Sequence, residues 1–425
     1  MISSALTPHP SERAAWRRRF LAVRDQTTAL AASLSPEDQV IQSMTDASPT
    51  KWHLAHTAWF FETFILKDHA EGYSPFDPDY AYLFNSYYEA VGERHPRPQR
   101  GLLSRPSSEE VLTYRSHVDA AMATLIEEAS PKTWDMIHPL IELGLNHEQQ
   151  HQELILMDIK HAFSINPLLP AYAPAMKRDP APAPPLEWVA FPGGLYEIGH
   201  DGEGFAFDNE GPRHRVWLEP FALANRLTTN ADYLAFIDDG GYQRPEFWLS
   251  DGWAARQSQG WEAPLYWLTR DGRREIFTLA GPRPLDLSEP VCHVSYYEAD
   301  AFANWTGRRL AREEEWEAAA SRNPTPPDPD GGSRLHPSAA ADAGLSQMFG
   351  ECWQWTSSAY SAYPGFRAAK GAIGEYNGKF MSNQFVLRGA AAVTPASHAR
   401  MTYRNFFPPA ARWAFSGIRL ASDDV

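Results

Sequence analysis

Residues 147–151 read His147-Glu148-Gln149-Gln150-His151. Leu143, Leu145, Leu154, Ile155, Met157 and Ile159 surround this run without a proline, and its one nearby glycine, Gly144, lies at the start, so the spacing predicts a helix. Residues four apart on a helix share a face, with Cβ atoms about 6 Å apart, so His147 and His151 can grip one ion. The same letters spell H-E-x-x-H, the zinc-protease motif in which the glutamate is a general base. Its metzincin extension fails, because Leu154 and Met157 stand where glycine and histidine are needed.

Two histidines on one helix make an incomplete site, so a facing helix must supply more. Residues 51–70 (KWHLAHTAWFFETFILKDHA) read as that helix and offer His53 and His56. His56 sits amid Leu54, Trp59 and Phe60 and is the better candidate; the plainer reading of His53 is an ordinary helix residue. Three neutral imidazoles with open positions suit a catalytic metal rather than a closed structural one. Imidazole alone leaves Zn, Fe, Cu and Ni open.

Working outward, residues 11–45 and 107–129 also carry helical periodicity, the latter opening on Ser107 or Ser108 ahead of two glutamates, a cap with an acidic first turn. With 132–163 this makes four helices and a long loop at 71–106, which predicts a helical bundle over 11–166. Residues 167–186 are rich in Pro and Ala and read as a semi-rigid linker. From 187 to 425 the periodicity fades into short apolar runs, with brief helices at 230–238 and at 297–305 after Ser295, which predicts an irregular α+β domain.

The 425 residues suit two domains. A formal charge of −15 without a Lys/Arg block argues against a nucleic-acid partner. The opening stretch lacks the apolar segment of a signal peptide, and no run approaches the ~18 apolar residues of a membrane span. With two cysteines, Cys292 and Cys352, a disulfide framework is not expected, and the reducing cytoplasm is the expected compartment.

Taken together, WHLAH, HEQQH and FNSYYEAVGERHPRPQRGLLSRP resemble the sulfoxide synthases of ergothioneine biosynthesis, the EgtB family. The second half is similar to the formylglycine-generating-enzyme (sulfatase-modifying-factor) module. It carries LEWVAFPGGLYEIG, DNEGPRHRVWLEPFAL, TTNADYLAF, PVCHVSYYEADAFANWTGRRLAREEEWEAAA, GECWQWTSSAYSAYPGF, VLRG, YRNFF and FSGIRLA in order. The resemblance spans about residues 15–421.

It implies a DinB-like four-helix bundle bearing a three-histidine iron site, followed by a C-type-lectin-like domain. It implies Fe(II) held by His56, His147 and His151, dioxygen as co-substrate, and a bond formed between a thiol and imidazole C2 of hercynine, with oxidation to the sulfoxide. Gln150 matches a contact to the hercynine imidazole. Asn405 and Phe406 match residues at its trimethylammonium and carboxylate end, where Phe406 suits a cation–π contact. Tyr87 and Tyr88 match paired tyrosines of the branch that uses free cysteine, one of them supplying a proton or electron. Phe407 stands where the γ-glutamylcysteine-using branch carries an acid, which favours cysteine. Arg94, Arg97 and Arg100 are candidates for a substrate carboxylate, which arginine pairs bidentately.

Some positions depart from the pattern. No cysteine follows Cys352, which argues against formylglycine-generating activity, and Ala390-Ala391-Ala392 replace a Gly-Ser-Cys run. A selenoneine synthase, an ovothiol-type enzyme or a γ-glutamylcysteine-using enzyme therefore stays open beside the cysteine-using reading. Trp353 and Trp355 read as core, and Glu148 as a residue near the ligands or in solvent.

Overall fold

The computed structural model describes residues 10–175, 182–322, 334–341, 344–370, 372–375 and 377–424. It divides into two compact units, the first ending at Ile165 and the second beginning at Asn166.

The first unit is helical. Helix α1 spans Pro10–Ala32, α2 Thr50–Phe61, α3 Ser108–Glu128 and α4 Pro131–Ser164. α1 and α2 each pack on both α3 and α4. Helix α1 stops well before the expected residue 45. Pro36 disfavours helical geometry at Ser35, and Asp38 ties the chain down by accepting from the Ser35 amide (3.1 Å) and hydroxyl (3.0 Å). Helix α2 runs on through a π-helical turn, Glu62–Leu66, where Lys67 N–H donates to the Glu62 carbonyl. Helix α3 opens on Ser107, whose hydroxyl accepts from Glu110 N–H while the Glu110 carboxylate accepts from Ser107 N–H. Within the expected loop 71–106, Tyr80–Leu83 and Arg97–Leu102 form short helical turns.

Helix α4 passes close to α2 at Gly144, where a Cβ would meet the Phe61 ring at 2.6 Å. Leu54, Phe61, Ile65, Val118, Met122, Ile141 and Leu145 fill the core between the helices.

The second unit is built of small sheets. One four-stranded antiparallel sheet has the order Trp188–Phe191, Phe221–Ala224, Leu420–Ser422, Arg309–Leu310. A second runs Asn405–Phe407, Phe385–Gly389, Trp353–Ala359, Ser416–Gly417, with only the last pair parallel. Two- and three-stranded sheets complete it. Helices Asn230–Asp238 and Tyr296–Trp305 fall where expected, each with a capping box, on Thr229 and Ser295.

Three arginines of the quoted motifs are buried struts. Arg388 pairs with Glu317 and donates to the carbonyls of Thr402 and Tyr403. Arg404 grips Glu313 bidentately at 2.8 and 2.9 Å. Arg419 donates to the Gln354 side chain and to the Ala224 carbonyl. Trp353 and Trp355 are buried, the latter donating to the Val294 carbonyl. Ala390, Ala391 and Ala392 are also buried, with Ala391 N–H held by the Thr394 hydroxyl.

Of the proline-rich stretch 167–186, residues 176–181 lie outside the described residues. Both described flanks are irregular and are anchored by hydrogen bonds of their backbone groups. Tyr172 and Ala173 N–H donate to the Leu279 carbonyl, and the Arg226 side chain donates to the Pro184 carbonyl.

Candidate metal centre

Helix α2 presents His53 and His56 at i and i+3, and α4 presents His147, His151 and Asp158 at i, i+4 and i+11. Both sets lie on the faces that meet where α2 packs on α4. His56, His147 and His151 form the one cluster among the described residues able to hold an ion, with one ring nitrogen from each within 4.8 Å of the others. His147 Nε2 lies 3.3 Å from His56 Nε2 and 3.1 Å from His151 Nε2.

These residues fit a metal. Two imidazole nitrogens about 2.1 Å from a common ion and at right angles to each other lie about 3 Å apart. The tautomer of His56 is set by its surroundings. Its Nδ1 is 2.6 Å from the Phe84 carbonyl, which can only accept, so Nδ1 carries the proton and Nε2 offers a lone pair to the cluster. All three rings are buried. Burial pushes His147 down to about 3, and pushes His56 and His151 well below the usual histidine range, with the neighbouring imidazoles adding to the effect. The rings are therefore neutral at pH 7, the state that ligates. No carboxylate is in the cluster.

Aromatic rings wall the site. His56 is stacked on Trp52 (4.6 Å) and Trp59 (5.4 Å), one turn to either side of it on α2. Tyr88, only 1% exposed, packs its ring 5.6 Å from Trp59 and 5.1 Å from Phe64, while Tyr87 is half-buried beside it at 4.8 Å. Asn85 pins this loop, donating to the Tyr88 and Gly92 carbonyls and accepting from Tyr88 N–H.

The three loop arginines separate. Arg94 is exposed and paired with Glu89. Arg97 is exposed and donates to the Asp46 carbonyl. Arg100 is only 4% exposed, its guanidinium 3.4 Å from the centroid of the Trp52 ring, with Nη1 donating to the Ser48 hydroxyl (2.9 Å). No carboxylate of the described residues makes an ion pair with it, and its buried Nε has no hydrogen-bond partner. Burial, and then Arg97 and Arg94, lower its pKa well below the usual value, and the Asp158 carboxylate offsets only part of this.

Gln150 is half-buried on α4, three residues beyond His147. Glu148 is neither near the ligands' lone pairs nor in solvent. It is wholly buried, accepting from Arg24 (2.8 Å) and Arg115 (2.9 Å). Burial raises its pKa, but the two guanidiniums outweigh this and hold it ionised. The protease reading thus loses its base: Glu148 is a strut joining α4 to α1 and α3.

Asn405 and Phe406 belong to the second unit, on the edge strand paired with Phe385–Gly389. Phe406 stacks on Tyr360 at 4.0 Å and lies 5.9 Å from Phe380. Asn405 Oδ1 accepts from Phe406 N–H.

Sequence reasoning undervalued His53. Its Nδ1 lies 2.8 Å from His151 Nδ1, and its Nε2 lies 3.0 Å from Asp158 Oδ2. The available signal was positional: Asp158 falls seven residues after His151, on the same α4 face, and His53 precedes His56 by nearly one turn of α2.

Residues 19–155 match the DinB superfamily, and residues 173–339 and 329–424 match the sulfatase-modifying factor enzyme 1-like domain. The hercynine oxygenase of Mycolicibacterium thermoresistibile is 32% identical, over 99% of this chain and 97% of that one. The chain belongs to the hercynine oxygenase family. The Mycolicibacterium smegmatis hercynine oxygenase is 31% identical over 88% of this chain and 91% of its own length. A formylglycine-generating enzyme of Thermomonospora curvata is 34% identical over 31% of this chain and 48% of that protein. The family match thus pairs a DinB-like helical domain, which holds the histidine cluster, with a sulfatase-modifying-factor domain of small sheets. No described helix is long and apolar enough to cross a membrane.

Proposed function

We propose that this member of the hercynine oxygenase family is a non-haem iron enzyme of ergothioneine biosynthesis. It uses dioxygen to join L-cysteine to imidazole C2 of hercynine and delivers the sulfoxide. One C–H and one S–H bond are lost, one oxygen atom ends on sulfur, and the other leaves as water. The observation that carries the proposal is the cluster of three buried, neutral imidazoles without a carboxylate, in a chain 32% identical to a hercynine oxygenase along nearly its whole length.

His56, His147 and His151 would hold the ion, which supplies electrons to dioxygen and open positions for the substrates. Three neutral ligands leave the ion's charge uncompensated, which favours a thiolate substrate. The walls of Trp52, Trp59, Phe60 and Tyr88 keep bulk water from the ligands. Arg100 is the arginine best suited to a substrate carboxylate, because it is buried with no carboxylate of the described residues in ion-pair contact, whereas Arg94 and Arg97 are exposed and engaged locally. Tyr88, or Tyr87 through it, supplies a proton during sulfur oxidation. Gln150 is assigned to the hercynine imidazole, and Asn405 with Phe406 to its trimethylammonium and carboxylate end, on the family resemblance. A four-helix DinB-like bundle over 11–166, a linker over 167–186, a C-type-lectin-like domain over 187–425 and a cytoplasmic place of work belong to the same proposal.

Purified protein supplied with Fe(II), dioxygen, hercynine and either cysteine or γ-glutamylcysteine tests it, with product read by mass spectrometry. The hercynyl-cysteine sulfoxide is expected; turnover with neither thiol would sink the proposal. A His56→Ala variant should retain less than about a tenth of the wild-type iron, and unchanged iron content would remove His56 from the ligand set.

A further inference from the structure

Behind the cluster lies a chain of hydrogen bonds that runs Ser48, Asp158, His53, His151. Ser48 N–H donates to Asp158 Oδ2 at 2.8 Å. The same oxygen is 3.0 Å from His53 Nε2, whose ring is 2% exposed. The other nitrogen of that ring, Nδ1, is 2.8 Å from His151 Nδ1. His151 Nε2 then faces His147 Nε2 at 3.1 Å.

Each proton position follows from the one before it. Asp158 Oδ2 already accepts from Ser48 N–H and serves as acceptor again here, so His53 Nε2 carries hydrogen. A neutral His53 ring then has a bare Nδ1, which must accept from His151 Nδ1–H. His151 is left with its lone pair on Nε2, aimed at the point where the three ligands converge. The reverse polarity would put an N–H of His151 at the point where the three ligands converge and leave that ring no lone pair to give an ion there.

We propose that His53 and Asp158 are positioning residues that lock His151 in the metal-binding tautomer and deliver carboxylate charge to the centre through two imidazoles. This rests on the metal reading above and extends it.

The arrangement differs from a carboxylate bonded directly to a ligating histidine. An intervening imidazole moves the anion one ring further out. The ion's neighbours remain three neutral donors with positions left open, while Asp158 offsets part of its charge without taking a position. His56 is supported differently, by the neutral Phe84 carbonyl at 2.6 Å. The two helices thus support their ligands unequally: His56 rests on a dipole and His151 on a relayed charge.

The test is iron affinity, by chelator competition, and the Fe(III)/Fe(II) midpoint potential, in wild type, His53→Leu, His53→Asn and Asp158→Asn. His53→Leu removes the acceptor facing His151 and should weaken Fe(II) binding by about 10–100-fold. In His53→Asn the amide oxygen takes the place of Nδ1 and still accepts from His151, so affinity should stay within about threefold of wild type. Asp158→Asn keeps its shape and loses its charge. A tenfold greater loss of affinity for Fe(III) than for Fe(II) raises the potential by about 59 mV.

Wild-type iron properties in both His53→Leu and Asp158→Asn would overturn the relay while leaving the metal site intact. Equal losses in His53→Leu and His53→Asn, tracking a drop in the melting temperature of the metal-free protein, would also overturn it by assigning His53 to packing. Should His53→Leu fail to fold, Asp158→Asn decides alone. A wild-type protein that binds no iron would overturn the metal reading itself, and the relay with it.

Discussion

His56 donates its Nδ1–H to the Phe84 carbonyl at 2.6 Å, and this bond joins the metal helix to the tyrosine loop. Phe84 directly precedes Asn85, which pins Tyr88 by two hydrogen bonds. The ligand's tautomer and the tyrosine's position are therefore set by one short backbone segment. A shift of that loop would disturb both at once.

Tyr88 is buried against Trp59 and Phe64, so replacing it with phenylalanine preserves the packing and removes only the hydroxyl. Tyr88→Phe should keep its iron and melt within a few degrees of wild type, yet divert cysteine toward its sulfinate. Product ratios by mass spectrometry decide; an unaltered ratio, with Tyr87→Phe altering it instead, would move the proton donor one residue back.

Arg100 and Arg97 make a matched pair for mutation, one buried over Trp52 and one exposed. Arg100→Met should raise KM for cysteine by at least about tenfold, as expected for the loss of a charge-assisted pair, with a smaller change in kcat. It should leave stability unchanged or improved, because a buried charge without a carboxylate in ion-pair contact is costly. Arg97→Met should change KM less than about twofold. Equal effects on KM would remove the distinction between the two arginines.

Glu148 lies within the metal motif but serves the fold. Glu148→Gln takes from Arg115 the carboxylate it pairs with and leaves Arg24 with Asp119 alone, and should destabilise by about 3–5 kcal/mol. Urea unfolding of the metal-free protein measures this. Iron affinity of the folded variant should change little, whereas a large loss of affinity with stability intact would place Glu148 at the metal.

The buried imidazoles make stability depend on pH. The folded value of His147, pushed down to about 3 by burial, lies below its unfolded value of about 6.5. As pH falls, the unfolded chain takes up the proton first, so stability is full above about 6.5 and declines toward the folded value. At pH 5 the loss from His147 alone is about 2 kcal/mol. His53, His56 and His151 act in the same direction, each through burial first. Denaturation of metal-free protein at pH 7.5, 6 and 5 should show falling stability; a flat profile would mean the rings are charged or exposed.

Much of this was legible in the chain because it is local. The i, i+4 pair of His147 and His151 follows from helix periodicity, the start of α3 from a serine ahead of two glutamates, and the second domain from the order of its short motifs. The end of α1 was misread because a side chain, Asp38, closes the turn after Pro36. The loop arginines looked alike because burial is not written in a run of Arg, Pro and Gln. His53 looked ordinary for a related reason: its partners, His151 and Asp158, lie about a hundred positions away.

By itself the sequence determined the helix faces, the two-domain order, the family and the three ligand candidates. These depend on the fixed period of a helix and on residues close in the chain. Only the tertiary structure decided which tautomer His56 presents, which loop arginine is buried without a carboxylate in ion-pair contact, and that Glu148 holds helices together rather than a proton in transit. Those depend on which groups meet across packed helices and on the water excluded between them, which raises the cost of every unpaired charge and fixes where each proton sits.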